Sequence, residues 1–152
     1  MMGIFDGMNT SGSALTANRF KMDVISSNLA NADTTRARLN ENGEWEPYRR
    51  KVVTQEPRGA NFNSFLQKAM NQSDSPGNGV RVSGVEEDPA PFKQVYNPNH
   101  PDADENGYVA MPNVDPLKEM INMMSTTRAY EANVTALNAS KGMLMKALEI
   151  GR

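Results

Sequence analysis

The sequence predicts a mainly α protein with a small β-rich insert. Its N- and C-terminal helices are expected to pair as a coiled coil, with an irregular, β-hairpin-bearing middle region between them in the chain. Three observations lead there. Eight of the nine prolines fall between Pro47 and Pro112 and the ninth, Pro116, opens the last helix, so helix breakers are confined to the middle. The C-terminal stretch carries a long apolar seam at helical spacing. Asn42-Gly43 between two extended stretches is a hairpin signal. The division that follows is residues 1–33 with 114–152 as one discontinuous helical domain, and 34–113 as the middle region.

In the N-terminal segment Met8, Leu15, Met22 and Leu29 recur every seven residues, with Ser11, Asn18, Ile25 and Ala32 as companions. This is a helical stripe, half of it small or polar. The helix is expected to end near Asn31, because asparagine tolerates the left-handed cap conformation.

The middle reads as short strands and turns. “RLNENGEWEPYRRKVV” holds the hairpin, “GVRVSGVEED” alternates as a strand does, and “PFKQVYN” and “GYVAM” are further short strands. Between Gly59 and Gly79 a weak helix, “NFNSFLQKAMNQ”, sits in a Ser-, Asn-, Gly- and Pro-rich loop.

The C-terminal helix has the stronger signal. Asp115 is a good N-cap and Pro116 suits the first helical position. From there Met120, Met123, Thr127, Tyr130, Val134, Leu137, Lys141, Leu144 and Leu148 alternate spacings of three and four. Only Thr127 and Lys141 interrupt the apolar run. At 1.5 Å per residue such a helix spans roughly 50 Å, more than the rest of the chain needs for a compact globule.

Composition sets limits on this reading. Leu, Ile, Val and Phe number 27 of 152 residues, below the roughly 20% under which chains struggle to fold. The net charge is only −2, so a thin core is expected rather than wholesale disorder. Neither the charge balance nor the short run Arg49–Lys51 points to nucleic acid. The absence of cysteine excludes disulfides and thiolate chemistry. “MMGIFDGMNTSGSALTANRF” lacks the basic start and apolar stretch of a Sec signal, and nothing approaches the ~18 apolar residues of a membrane span. By these rules alone the chain is cytoplasmic, soluble and not inserted in a membrane.

Chemical candidates are few. “DADENG” places Asp102, Asp104 and Asn106 at positions 1, 3 and 5 of a calcium loop and Gly107 at position 6. Position 12 is Asn113 instead of a bidentate Glu, and prolines and strands flank the loop instead of helices, so an Asx-type hydrated turn is preferred. His100 is the lone histidine, between Asn99 and Pro101, with no nucleophile or acid placed for it; a turn-packing role is preferred over catalysis. No P-loop, dinucleotide fingerprint or zinc spacing occurs. Neither a cofactor nor a small-molecule substrate is implied. By composition alone Met120, Met123, Met124, Met143 and Met145 read as ordinary core, but they also suit a surface that must pack against slightly different neighbours. The polar N-terminal stripe cannot cover the whole C-terminal seam, and the remainder points to partners.

The residues also carry a resemblance. “ISSNLANADTT” (Ile25–Thr35) resembles the N-terminal signature of bacterial flagellar rod and hook proteins. “NHPDADENGYVAMPNVD” and “EMINMMSTTRAYEANVTALNASKGMLMKALEIGR” resemble the proximal rod proteins in particular. “ARLNENGEWE” and the Gly59–Gly79 loop match no motif of that family.

That resemblance implies a structural, non-enzymatic subunit of a hollow helical drive shaft in the basal body, within the cell envelope or periplasm. The implied partners are copies of itself, other proximal and distal rod proteins, and basal-body ring or adaptor proteins. The flagellar type III apparatus would export the chain without a cleaved signal, in an unfolded passage that suits a cysteine-free chain with a marginal core. The short length argues against a hook or distal rod protein. The expected subunit interface takes Met8, Leu15, Met22, Ile25, Asn28, Leu29 and Asn31 from the first helix. It takes Met120, Met123, Tyr130, Val134, Leu137, Lys141, Leu144 and Leu148 from the last. Two other classes stay open: a calcium-responsive binding module resting on “DADENG”, and an enzyme resting on His100. Within the favoured class the alternative is another short axial protein of the same rod.

Overall fold

A computed structural model describes residues 4–41, 43–58 and 79–150. Helix α1 (Ile4–Ala30) and helix α2 (Pro116–Ile150) stand at the two ends of the chain. Between them come β1 (Arg38–Leu39), β2 (Trp45–Glu46), β3 (Lys51–Pro57), β4 (Val80–Glu87), β5 (Lys93–Tyr96) and β6 (Tyr108–Met111). The strands form three separate two-stranded sheets, β1–β2, β3–β4 and β5–β6. The fold is thus mainly helical with a small antiparallel insert. The expected helix at 61–72 lies outside the described residues.

Local chemistry explains the boundaries. The Thr10 and Thr16 hydroxyls donate to the carbonyls of Asp6 and Gly12, four residues back, which satisfies polar groups on α1. At its end the Asn31 side chain donates to Ser27 O at 2.9 Å and its oxygen accepts the Thr34 hydroxyl. Asn31 therefore closes the helix with its side chain. The start of α2 follows the sequence reading: Asp115 Oδ1 accepts the amides of Leu117 at 3.1 Å and Lys118 at 3.4 Å, with Pro116 in the first turn.

The hairpins also sit where the turn residues put them. β1 and β2 pair with Arg38 opposite Glu46 and Leu39 opposite Trp45. Asn40 Oδ1 accepts the Glu44 amide, and Gly43 takes a positive φ of 80°; Asn42 lies outside the described residues. β5 and β6 pair from Lys93 opposite Met111 to Tyr96 opposite Tyr108, whose rings meet edge to face at 5.3 Å.

By compactness the chain divides into two units, each with parts of both helices. Unit 1 comprises Met1–Lys21, Thr54–Gly84 and Ser125–Arg152; unit 2 comprises Met22–Val53 and Val85–Met124. The described residues fully buried in unit 1 are Ala17, Ser13 and Thr126. In unit 2, Ile25, Val109 and Val114 are buried together with Tyr48, Asn28 and Glu119. Both cores are small, and that of unit 2 is built largely on hydrogen bonds.

A pin on α1 holds the β4 start in unit 1. Ser13 Oγ accepts the Val80 amide at 3.1 Å and donates to Thr10 O. Gly79, at φ 98°, lies so close that a Cβ there would sit 2.2 Å from Ser13 Oγ. Only glycine satisfies both the backbone angle and the contact.

Candidate assembly site

Two features are candidates: a buried polar clasp in unit 2, and the apolar surface that α2 leaves open. The clasp begins with Asn28, near the end of α1, whose side chain is 1% exposed. Its amide nitrogen donates to Lys51 O at 2.8 Å and its oxygen accepts Lys51 N at 2.9 Å. A side-chain amide thus pairs with both backbone groups of a β3 residue, the exchange two antiparallel strands make. The same nitrogen also donates to Glu119 Oε2 at 3.1 Å, and the same oxygen accepts the Tyr48 hydroxyl at 3.0 Å. All four of its hydrogen-bonding positions are filled.

Glu119, on the first turn of α2, is likewise 1% exposed. A buried carboxylate needs a cation and full hydrogen bonding. Arg50 provides the cation: Nε and Nη2 donate to Glu119 Oε1 at 3.0 and 2.8 Å, while Nη1 donates to Asp88 Oδ2 at 3.0 Å. Burial works against the guanidinium charge, but the bonds to Glu119 and Asp88 outweigh it and raise the Arg50 pKa above its ordinary value. Asp88 is held below the usual carboxylate range by the Ala90 amide and by Arg50. Asn113 completes the clasp: its oxygen accepts the Arg50 amide at 2.7 Å and its nitrogen donates to the carbonyls of Asp88 and Ala90. No buried side-chain polar atom lacks a partner among the described residues.

The aspartates of the “DADENG” loop are engaged in bonds within the chain. Asp102 accepts the Thr35 hydroxyl at 2.8 Å and Arg36 Nε at 2.6 Å, and these hold its pKa low, Arg36 chiefly. Asp104 Oδ1 accepts the amides of Asn106 and Tyr108, an Asx turn closed by Gly107 at φ 80°. The expectation of a purely hydrated turn therefore needs amending: Asp102 ties the turn to Thr35 and Arg36, just past the end of α1. His100 Nδ1 accepts the Asp102 amide and packs within that turn.

The residues expected at a subunit interface are distributed unevenly. On α1, Ile25 and Asn28 are buried within the chain, Met8, Leu15 and Met22 are half-buried, and Leu29 is exposed; Asn31, just past its end, is half-buried. On α2, Met123, Tyr130, Val134, Leu137 and Leu144 are half-buried, while Met120, Lys141 and Leu148 are exposed, Leu148 at 71%.

A second exposed set lies beyond the seam; the sequence marks Met124, Met143 and Met145 of it for a packing surface, but not Leu117, Ile121 and Ile150. Leu117, Ile121 and Met124, at spacings of four and three, lie open near the start of α2, and Met143, Met145 and Ile150 near its end. The signal was available in the apolar residues that the three–four seam leaves out. Exposed apolar side chains along so much of one helix make it the candidate interaction surface.

Comparison with known proteins gives a consistent result. Residues 8–38 match the family model “Flagella basal body rod protein” and residues 105–150 match “Flagellar basal body rod FlgEFG protein C-terminal”. The chain is similar to the flagellar basal-body rod protein FlgC of Bacillus subtilis, 60% identical over 99% of this chain and all of that one. It is 41% identical to the FlgC proteins of Salmonella typhimurium, over 100% of this chain and 98% of the relative, and of Borreliella burgdorferi, over 98% of each.

Proposed function

The chain belongs to the FlgC family of flagellar basal-body rod proteins, and from that premise we propose how it serves as a structural subunit of the rod. Its role is mechanical rather than catalytic. α1 and α2 pair as a coiled coil, and the face of α2 left over packs on neighbouring subunits. The contacts run through Met8, Leu15, Met22 and Leu29 on α1 with Asn31 just past its end, and through Met120, Met123, Tyr130, Val134, Leu137, Lys141, Leu144 and Leu148 on α2. Ile25 and Asn28 act from inside the chain by fixing the helix that carries the rest. The neighbours are further copies and other proximal and distal rod proteins, with ring or adaptor proteins at the boundary.

The observation that carries this reading is α2 itself. It is 35 residues long, and Leu117, Ile121, Met124, Met143, Met145, Leu148 and Ile150 lie exposed along it. No helix among the described residues is long and apolar enough to cross a membrane, so a protein partner is the natural cover. The small cores and the absence of cysteine support export through the flagellar type III apparatus and ordering on assembly. Torque then passes through the packed helices, with the clasp keeping the strand region from shearing off them.

Isolation of basal bodies with a tagged chain tests the proposal. The chain is expected in the rod fraction, and its deletion is expected to abolish motility. Intact, rotating flagella in the deletion strain would contradict it.

A further inference from the structure

The two compact units carry opposite charge. Counted over the sequence, unit 1 has nine Lys and Arg against five Asp and Glu, a net +4. Unit 2 has seven against thirteen, a net −6. The near-neutral whole conceals this segregation.

Internal pairing sharpens the contrast. In unit 2 five of the seven basic side chains are engaged: Arg36, Arg38, Arg49 and Arg50 are in ion pairs and Lys93 donates to Val114 O, while Lys51 and Lys118 are exposed and in no ion pair with a described residue. The acids left at its surface include Asp33, Glu41, Glu86 and Glu105, all exposed and without an ion pair to any described residue. An open groove of about 440 Å³ in this unit sets Val24 and Val85 beside Asp23, Glu86 and Glu87, with Lys51 also on its wall, so carboxylates are in excess where a further cationic side chain with an aliphatic stem would lie. In unit 1 the reverse holds. Arg19, Lys21, Arg58, Arg128 and Lys141 are exposed and in no ion pair with a described residue.

We infer that copies of this chain contact one another through unlike units, the basic unit 1 of one copy against the acidic unit 2 of the next. The occupant is a second copy because the complementary surface belongs to the same chain. Like units would repel, which disfavours a dimer that sets like unit on like unit. Where one copy engages two different neighbours through its two units, the contact is heterologous and propagates into rings or open helical chains. This deepens the rod-subunit reading and rests on it: charge sets the polarity of stacking, while the apolar α2 face supplies adhesion.

The test uses three full-length proteins in sedimentation velocity. The first is the wild type. The second carries Arg19→Glu, Lys21→Glu and Arg128→Glu, which takes unit 1 from +4 to −2. The third carries Asp33→Lys, Glu41→Lys, Glu86→Lys and Glu105→Lys, which takes unit 2 from −6 to +2. Between about 0.1 and 1 M salt, wild-type self-association is expected to weaken about tenfold or more as the screening length falls from about 10 to 3 Å. Each variant alone is expected to stay monomeric at low salt, and a one-to-one mixture to associate, since every contact between the two is again of opposite sign. A wild type that stays monomeric at low salt, salt-independent association, or a mixture no better than its components would overturn the inference. The wild-type salt series decides even if a variant fails to fold. Rods that contain the chain alongside a failed mixing experiment leave the rod reading standing and remove only this contact.

Discussion

The carboxamide of Asn28 on α1 and the carboxylate of Glu119 on α2 meet at 3.1 Å, each side chain 1% exposed, across 91 residues of sequence. Between them they gather Lys51, Tyr48 and Arg50 into one connected set. Asn28→Ala leaves the Lys51 backbone groups and one Glu119 oxygen short of partners, an expected loss of about 2–4 kcal/mol. Asn28→Asp is expected to be worse, because it sets a second carboxylate against Glu119. Urea unfolding of both variants checks this. In a double-mutant cycle with Glu119→Gln, a coupling below about 0.5 kcal/mol would contradict a shared network.

At the other pin, Gly79→Ala forces a Cβ to 2.2 Å from Ser13 Oγ at a φ of 98°. The expected loss is about 2 kcal/mol or more. Ser13→Ala removes the atom it strikes but also the acceptor of the Val80 amide. The two changes together should therefore cost less than the sum of each alone, and thermal unfolding of the set shows whether they do. Strict additivity would mean that the contact is not what constrains this glycine.

Acid should loosen unit 2. Asp88, through the Ala90 amide and Arg50, and Asp102, through Arg36 and Thr35, have pKa values below the ordinary 3.8. The unfolded chain then binds more protons than the folded one in that range, so stability rises with pH there. The contribution is full above 3.8 and disappears as pH falls through the lower folded values. A urea midpoint that drops between about pH 5 and pH 2.5, with a flatter slope in Asp88→Asn/Asp102→Asn, is expected. Asp102→Asn with Asp104→Asn should leave assembly nearly intact, while micromolar calcium binding by the wild type, lost in that variant, would restore the metal reading.

What could be read from the sequence was local. The Asp115 cap, the Gly43 and Gly107 turns and the hairpin strands are set by residues a few positions apart, and the structure has them all. The clasp was not legible for the opposite reason. Asn28 is expected at a subunit contact rather than inside the chain, and Glu119, in the first turn of α2, carries no signal beyond a charge that suits the helix dipole. Arg50 lies in the short basic run Arg49–Lys51, whose spacing names no partner. The one available signal is that Asn28 lies three residues past Ile25, on the buried side of the stripe. The exposed Leu117 and Ile121 were not legible because they fall outside the three–four seam.

Hydrogen exchange on the dilute monomer should follow the two anchoring regimes. The part of α1 up to Lys21 is held by Ser13 and Ala17, whereas the last turns hold Ile25 and Asn28. Fast exchange is expected over residues 5–21, with slower exchange near 25–30 where the clasp acts. Strong protection of the whole of 8–31 in the isolated chain would show that α1 needs no partner to order it.

The central claim is that the open face of α2 is a subunit contact in the rod, and Leu144 and Leu148 test it best. Leu144 is half-buried and Leu148 is 71% exposed, so in the lone chain aspartate at 148 has little to disturb. In an assembled rod each unpaired carboxylate at a packed contact costs several kcal/mol, about 3–5, repeated in every copy. The measurement is the amount of chain in basal bodies isolated from cells carrying Leu144→Asp with Leu148→Asp, beside the circular dichroism of the purified variant. The expected result is a folded strand region, a rod fraction without the variant and non-motile cells. Wild-type incorporation and motility with both aspartates in place would contradict the account.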